Sequence, residues 1–383
     1  MKKFMVILAA IAMVGAFTAT SIAAEWNFYG SARMTTFSYN KSKEAVGELF
    51  DDTDTTWTNQ TNARIGANVK ASDAVSGRFE YGYGASPSLR ILWGEYNFGS
   101  GSLGVGQHYT PMDTLISTSV ADFPTNFHST DPVPDGDASN LQIGSFYEGR
   151  LPMIQLKFGG LKLAFIKPST VGPQRLNLAG DGLENDSRDS DIDTTLPKIE
   201  VAYDFKGDMF SVRPYAGYNS VNFTNPLTDT DVSVDAYIIG ATASVNFGPM
   251  YVKGNIFVSQ NEGNFGRSNN VVFDRAVVSR TTTDIEDASG WGGIILAGFK
   301  MSDMFNFEAG YSMDHGEVDV APGVTGENSP SQWYVNCTIT LAPGVTITPE
   351  VGMTDFGDVE VTGSASEDQG DCTYFGAKWQ INF

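Results

Sequence analysis

The sequence predicts an all-β protein, a transmembrane antiparallel β-barrel of sixteen strands. Three observations predict it. Apolar and polar residues alternate with period two over long stretches. Beyond the N-terminus no apolar run approaches the roughly 20 residues of a helical span. Gly, at 41 residues, and aromatics, at 12%, are abundant, while the hydrophobic fraction is an ordinary 41%. Weakly alternating segments rich in glycine and aromatics are the signature of a wall with lipid on one face and water on the other.

The chain opens "MKKFMVILAAIAMVGAFTATSIAAEW". Lys2 and Lys3 precede an apolar run from Phe4 to Phe17, and small residues follow at Ser21, Ala23 and Ala24. That three-part pattern predicts a secretory signal over residues 1–23, cut after Ala23, with 24–383 as one barrel domain. No Cys stands at the cut to carry a lipid anchor.

"EWNFYGSARMTTFSY" is the first predicted strand. Period-two segments then follow, joined by short turns at 71–77, 99–102, 159–160, 206–208, 248–249, 301–303 and 342–344. These alternate with longer connections at about 40–55, 110–140, 169–194, 224–231, 261–289, 317–329 and 357–370, with one tight exception near Ser86–Ser88. Short turns on a periplasmic rim and long loops on an extracellular one is the asymmetry of an outer-membrane barrel. In a later segment Phe305, Phe307, Ala309, Tyr311 and Met313 share one face, and Asn306, Glu308, Gly310 and Ser312 the other. Val345, Ile347, Pro349, Val351 and Met353 likewise oppose Thr346, Thr348 and Glu350. The chain ends "FGAKWQINF", with Phe375, Ala377, Trp379, Ile381 and Phe383 on one parity and Gly376, Lys378, Gln380 and Asn382 on the other. An open sheet edge has no water to bond within a bilayer, so this last strand must pair with the first. Aliphatic-out and polar-in predicts a wet lumen.

A soluble β-sandwich would bury Lys198, Glu200, Glu308 and Glu350 at several kcal/mol for each unpaired ion, roughly. The formal charge of −21, or −23 without Lys2 and Lys3, argues against nucleic-acid binding. Cys337 and Cys372 fall two strands apart on opposite faces, which disfavours a disulfide.

Other motifs carry less. "GSGSLG" at 99–104 has dinucleotide-loop spacing, but a strand follows it and supplies no helix N-terminus for a pyrophosphate. Ser312, Asp314 and His315 are neighbours, yet Asp314 and His315 point to opposite faces, so no catalytic triad forms and no enzyme is expected. No cofactor is called for. Carboxylates crowd Asp181–Asp193 and Glu44–Asp54, and hard oxygen ligands there suit Ca²⁺ or Mg²⁺ bridging to lipopolysaccharide phosphates.

"FYGSARMTTF", "NARIGANVKASDAVSGRFEYGYG" and "LRILWGEYNFGSGSLGVGQHYTP" resemble, in order, the opening strands of the general Gram-negative porins. The terminal strand with Phe383 resembles the signal read by the barrel-assembly machinery. The resemblance implies a sixteen-stranded homotrimeric channel in the outer membrane, passing small hydrophilic solutes and ions by passive diffusion. It implies a third loop folded into the lumen, facing a basic wall of Arg33, Arg64, Arg90 and Arg150. Strand parity alone would send Arg150 outward unless a bulge at Pro152 resets it. The loop from Thr110 to Asn140 offers Asp113, Asp122, Asp131, Asp135 and Asp137 as the facing acids. Those acids, with an acidic mouth, lead to an expectation of weak cation preference. Gly30, Ala32, Ala63 and Ala67 fall outward and suit a subunit contact. A channel tuned to one substrate class and a non-conducting barrel serving as adhesin or anchor remain open as alternatives.

Overall fold

The computed structural model describes residues 24–383 apart from 46–47, 85–87, 121–142, 177–182, 186–191, 195, 226–229, 268–270 and 279–284. The wall is a closed antiparallel barrel of 16 strands. It closes where the first strand, Glu25–Ala45, meets the last, Asp371–Asn382, in register from Ser31 opposite Asn382 to Ser42 opposite Asp371. Phe383 extends the ladder by one residue: its carbonyl accepts from Gly30 N at 2.6 Å and its N–H donates to Gly30 O at 3.0 Å. A Cβ on Gly30 would lie 2.4 Å from the Phe383 ring, so the terminal aromatic is seated on a glycine of the first strand.

Alternation sets the two faces as read from sequence. Phe375, Trp379, Ile381 and Phe383 are exposed on the outside, whereas Tyr374 is buried inside. Near the short turns the outer surface carries Phe98, Phe158, Phe205, Phe247 and Phe299; towards the other rim it carries Tyr237, Trp291, Tyr311 and Trp333. Between these belts lie aliphatics such as Ile154, Ile239, Ile256 and Ile295, as bilayer geometry demands. At the short turns 159–160 and 248–249, Gly159 and Gly248 take φ of 58° and 63°, left-handed values that cost a glycine little.

Three predicted loops are largely strand. Residues 34–45 pair with Glu48–Asn59 up to the hairpin tip, Asn225 faces Thr230, and Ser289–Lys300 is followed by a strand, Phe305–Ala321, whose end pairs with Val324–Asn328. The inner faces of two of these extensions are covered by infolded residues: Phe273 and Val277 pack on Val318 and Val320, and Ala276 packs on Val221 and Val234. Charged residues such as Glu317 and Asp319 fall on the outer face, and such acids read as loop in the sequence.

The lumen is not uniformly wet. Met112, Phe146, Tyr215, Ile238, Phe257 and Phe265 form one buried apolar cluster within the barrel, and Phe37, Tyr39, Val120, Phe356, Cys372 and Tyr374 another. Each joins wall residues to a residue from a connection, so connecting segments fill part of the interior. Burying this apolar surface stabilises the infolded segments at roughly 25 cal/mol per Å².

The small outward residues seat rings of this same chain. Besides Gly30 under Phe383, Ala67 is paired with Phe28 and with Phe79 and is fully covered.

Candidate functional site

The connection that leaves the strand Ser102–Tyr109 enters the lumen and crosses it. Its described outgoing limb, 110–120, passes along the inner wall built by strands between Lys198 and Tyr374. Met112 N donates to Glu200 Oε2 at 3.0 Å, and Lys253 Nζ donates to Ile116 O at 3.0 Å. Thr118 then offers both its N–H and its hydroxyl to Glu308 Oε1, at 2.6 and 2.7 Å. Ser119 Oγ and Val120 N donate to the two oxygens of Glu350 at 2.9 and 2.8 Å.

Wall groups complete each latch. Tyr334 and Tyr251 donate to Glu308 at 2.6 and 2.7 Å, while Asn336 and Tyr374 donate to Glu350 at 2.9 and 3.1 Å. A buried carboxylate is costly unless donors surround it, and four donors apiece meet that demand. Period-two parity puts Glu200, Glu308 and Glu350 on the inner face, and their partners make them fasteners for the loop.

The return limb is fastened too. Thr114 N donates to Phe146 O at 2.7 Å, joining the two limbs, and Asn255 Nδ2 donates to Gly144 O at 3.0 Å. A second infolded segment locks this limb from the extracellular side. It begins with the short helix Glu262–Phe265. Arg267, 4% exposed, donates twice to Ser145 O at 2.7 and 3.1 Å, to Glu262 at 3.0 Å and to Asp314 at 2.7 Å. Lys198 pairs with Glu148 and also donates to Phe265 O at 3.3 Å.

The opposite side of the lumen carries the basic residues. Arg64, Arg78 and Arg90 converge on one carboxylate, Glu80, at 3.3, 2.9 and 2.8 Å. Three guanidiniums against one carboxylate leave two positive charges in excess. Tyr29 donates to the same Glu80 at 2.9 Å. Lys378 stands on the adjoining last strand, in register with Thr35 and two residues along from the Arg33 pair. Below the loop opens a cavity of about 980 Å³ lined by Arg78, Trp93, His108, Tyr109, Lys157 and Arg213 among others. There Lys157 is neutralised by Glu95 at 2.7 Å and Lys162 by Asp204 at 2.9 Å.

The predicted site residues divide. Arg33 and Arg64 face the lumen, and Arg90 is buried in the wall against Glu80. Arg150, which follows Gly149 at φ 85°, donates to Tyr109 Oη at 3.3 Å with its guanidinium 5.3 Å from that ring centre. Arg90 donates to the same phenol at 3.2 Å, so Arg150 joins the ladder despite the parity of its strand. Asp113 is buried at the root of the loop, where its oxygens accept from the N–H groups of Thr110 and Glu148 at 3.0 and 2.9 Å. It therefore shapes the root of the loop, at the edge of the cavity. Asp122, Asp131, Asp135 and Asp137 lie outside the described residues. At the other candidate acids, Asp51, Asp52 and Asp54 stand on a paired strand, and Asp181, Asp186, Asp189 and Asp191 lie outside the described residues. Cys337 and Cys372 are free thiols.

Sequence reasoning missed Arg267 and its segment. A signal was available: "NFGRSNNVVFDRAVV" places Phe265, Val271, Val272, Phe273, Val277 and Val278 in what reads as a surface loop. Apolar residues at that density need something to pack on, and Phe273 and Val277 pack against Val318 and Val320 of the wall.

A family model described as Gram-negative porin matches residues 8–359. Among solved structures, the fold is similar to the outer membrane channel DcaP of Acinetobacter baumannii, with a TM-score of 0.65 at 14% identity over 95% of this chain and 99% of that one. It is also similar to an anion-selective porin from Comamonas acidovorans, with a TM-score of 0.56 at 12% identity over 94% of this chain and 100% of that one. The trimer form of OmpT from Vibrio cholerae gives 0.54 at 13% identity, over 94% and 100%. A search of curated protein sequences found no match. At such identities the structural likeness establishes the fold.

Proposed function

This chain belongs to the Gram-negative porin family of the outer membrane, and we propose that it is a passive diffusion channel for small hydrophilic solutes whose narrow part favours anions over cations. The observation that carries the ion preference is the meeting of Arg64, Arg78 and Arg90 on the single carboxylate of Glu80, with Arg33 facing the lumen from the first strand. The acids on the loop's side are buried with it: Glu308 and Glu350 each accept from four donors beneath the loop, and Asp113 is buried at its root.

This reading replaces the weak cation preference expected from the acidic loops. Charges at the mouth are screened over about 8 Å at physiological ionic strength. Charges in a narrow passage with low-dielectric walls are screened less and act directly on the permeating ion. The ladder therefore outweighs a larger number of distant carboxylates. Opposed to it, the described limb presents Leu115 as its exposed apolar residue, which narrows the passage without adding charge.

Homotrimeric assembly, lipopolysaccharide contact and delivery by the barrel-assembly machinery through Phe383 complete the proposal. We assign no catalysis: Asp314 is engaged by Arg267, and His315 lies on the outer face. The test is a reversal-potential measurement on single insertions of the refolded mature chain in a planar bilayer under a KCl gradient. Displacement towards chloride supports the ladder as the selective element. Displacement towards potassium returns selectivity to the loop and mouth acids, and a folded barrel without conductance overturns the channel reading in favour of a barrel acting as adhesin or anchor.

A further inference from the structure

On the outside of the barrel, at the extracellular end of the strand Phe305–Ala321, the wall carries a set of residues that permeation does not use. Asp314 and Gly316 face inward, against Arg267 and Phe273. His315 and Glu317, of the opposite parity, therefore face outward, just above the exposed Trp291 that is paired with His315. Glu327 is in direct cross-strand register with Glu317, and Glu360 in turn with Glu327. A row of like charges in register destabilises a sheet. Among the described residues no Lys or Arg forms an ion pair with any of the three glutamates.

The geometry points to a transition-metal site, and we propose that His315, Glu317 and Glu327 bind a divalent ion of the zinc class. One ligand atom from each lies within 4.8 Å of the other two. The imidazole is already oriented: Nδ1 lies 2.9 Å from Ser329 Oγ, and with Nδ1–H as donor the Nε2 lone pair is directed at the carboxylates. Ser289 Oγ holds Glu317 Oε1 at 3.0 Å, so that Oε2 is the oxygen turned towards Nε2, 3.9 Å away. That separation is too long for a hydrogen bond. It is spanned by an ion about 2.1 Å from each atom, the usual zinc distance to nitrogen or carboxylate oxygen.

One neutral nitrogen and two carboxylates suit zinc and its neighbours better than Ca²⁺ or Mg²⁺, which prefer all-oxygen shells. This site differs in place and ligand type from the carboxylate-rich segments at 44–54 and 181–193. Bound metal offsets the repulsion within the glutamate row and ties the ends of two adjacent strands together at the rim. A coordination position remains open towards the surroundings.

The test is calorimetric titration of zinc chloride into the refolded, lipopolysaccharide-free barrel. One ion per chain is expected, with no displacement by equimolar Ca²⁺. His315→Ala and Glu327→Gln should each abolish that stoichiometric binding, and Ser329→Ala should weaken it roughly 10- to 100-fold. Because these side chains lie outside the pore, the variants should migrate as folded barrels on unheated gels and keep parental conductance. Absence of zinc binding, unchanged binding in His315→Ala, or displacement by equimolar Ca²⁺ would overturn the site and leave the porin reading untouched.

Discussion

Glu80 and Glu308 are both inward-facing glutamates of the barrel wall, yet they do opposite work. Glu80 is the counter-ion of Arg64, Arg78 and Arg90 among the described residues. Glu308 has no basic partner among the described residues and is satisfied by hydroxyls and a backbone N–H, two of which belong to the infolded loop. The difference teaches that counting lumen charges does not give selectivity. Neutral donors hold a carboxylate in place without cancelling its charge, whereas Glu80 is outnumbered by guanidiniums, and the proposed anion preference rests on that excess. In the proposed function the pinned side narrows the pore and the arginine side gives it its sign.

Releasing the pinned half should have the largest effect. Replacing Glu308 and Glu350 together with Ala removes the fasteners at Thr118, Ser119 and Val120 and strands their wall donors. Hydrogen bonds to charged groups contribute about 1.5–3 kcal/mol each, so the loop should leave the wall while the barrel persists. Single-channel recording should show higher conductance with frequent transitions, and, with two lumen anions gone, reversal potential should move towards anions. A double variant with parental conductance would mean that the remaining contacts, among them Lys253 to Ile116 O, Arg267 to Ser145 O and the buried apolar cluster, suffice to hold the loop.

Arg267→Ala ranks next. It leaves Asp314 and Glu262 buried without their guanidinium, a loss of about 3–5 kcal/mol for a broken buried pair. Thermal unfolding should come at lower temperature, and current noise should increase because Ser145 on the return limb loses two donors. A variant as stable and as quiet as the parent would show that the second segment merely rests on the first.

On the arginine side, Arg64→Gln with Arg78→Gln should shift reversal potential towards cations with small change in stability, since one guanidinium remains for Glu80. Glu80→Gln should shift it towards anions. Equal shifts in the same direction from both would break the assignment of selectivity to this cluster.

The wall was legible in the sequence because bilayer and water impose period two on every strand that separates them. The terminal segment ending in Phe383 and the pairing of its lumen face with Arg33 follow from that single constraint. The latches were half legible: parity put Glu200, Glu308 and Glu350 inside, but parity says nothing about which arc of the lumen a loop will occupy. Arg150 was misleading for the related reason that residues at a strand end escape the alternation. The long extracellular hairpins were hidden because acids such as Glu317 and Asp319 read as loop, although Val318 and Val320 between them are buried under an infolded segment.

The smallest expected effect separates the root of the loop from its latches. Asp113 sits beyond the end of its strand, and burial pushes its carboxyl up to about 8, against the N–H groups of Glu148 and Thr110, which lower it. An unfolded or detached segment would ionise with the ordinary value of about 3.9. The native loop therefore binds more protons than the detached one between these two values, and its anchoring weakens as pH rises through that window. Thermal unfolding followed by the loss of folded-form gel migration should accordingly shift downwards from pH 5 to pH 8, and Asp113→Asn should flatten the slope. The latches at Glu308 and Glu350 stay in place throughout, which keeps the effect below that of the double variant. A slope unchanged in Asp113→Asn would assign the pH dependence to other groups and leave the root of the loop indifferent to its charge.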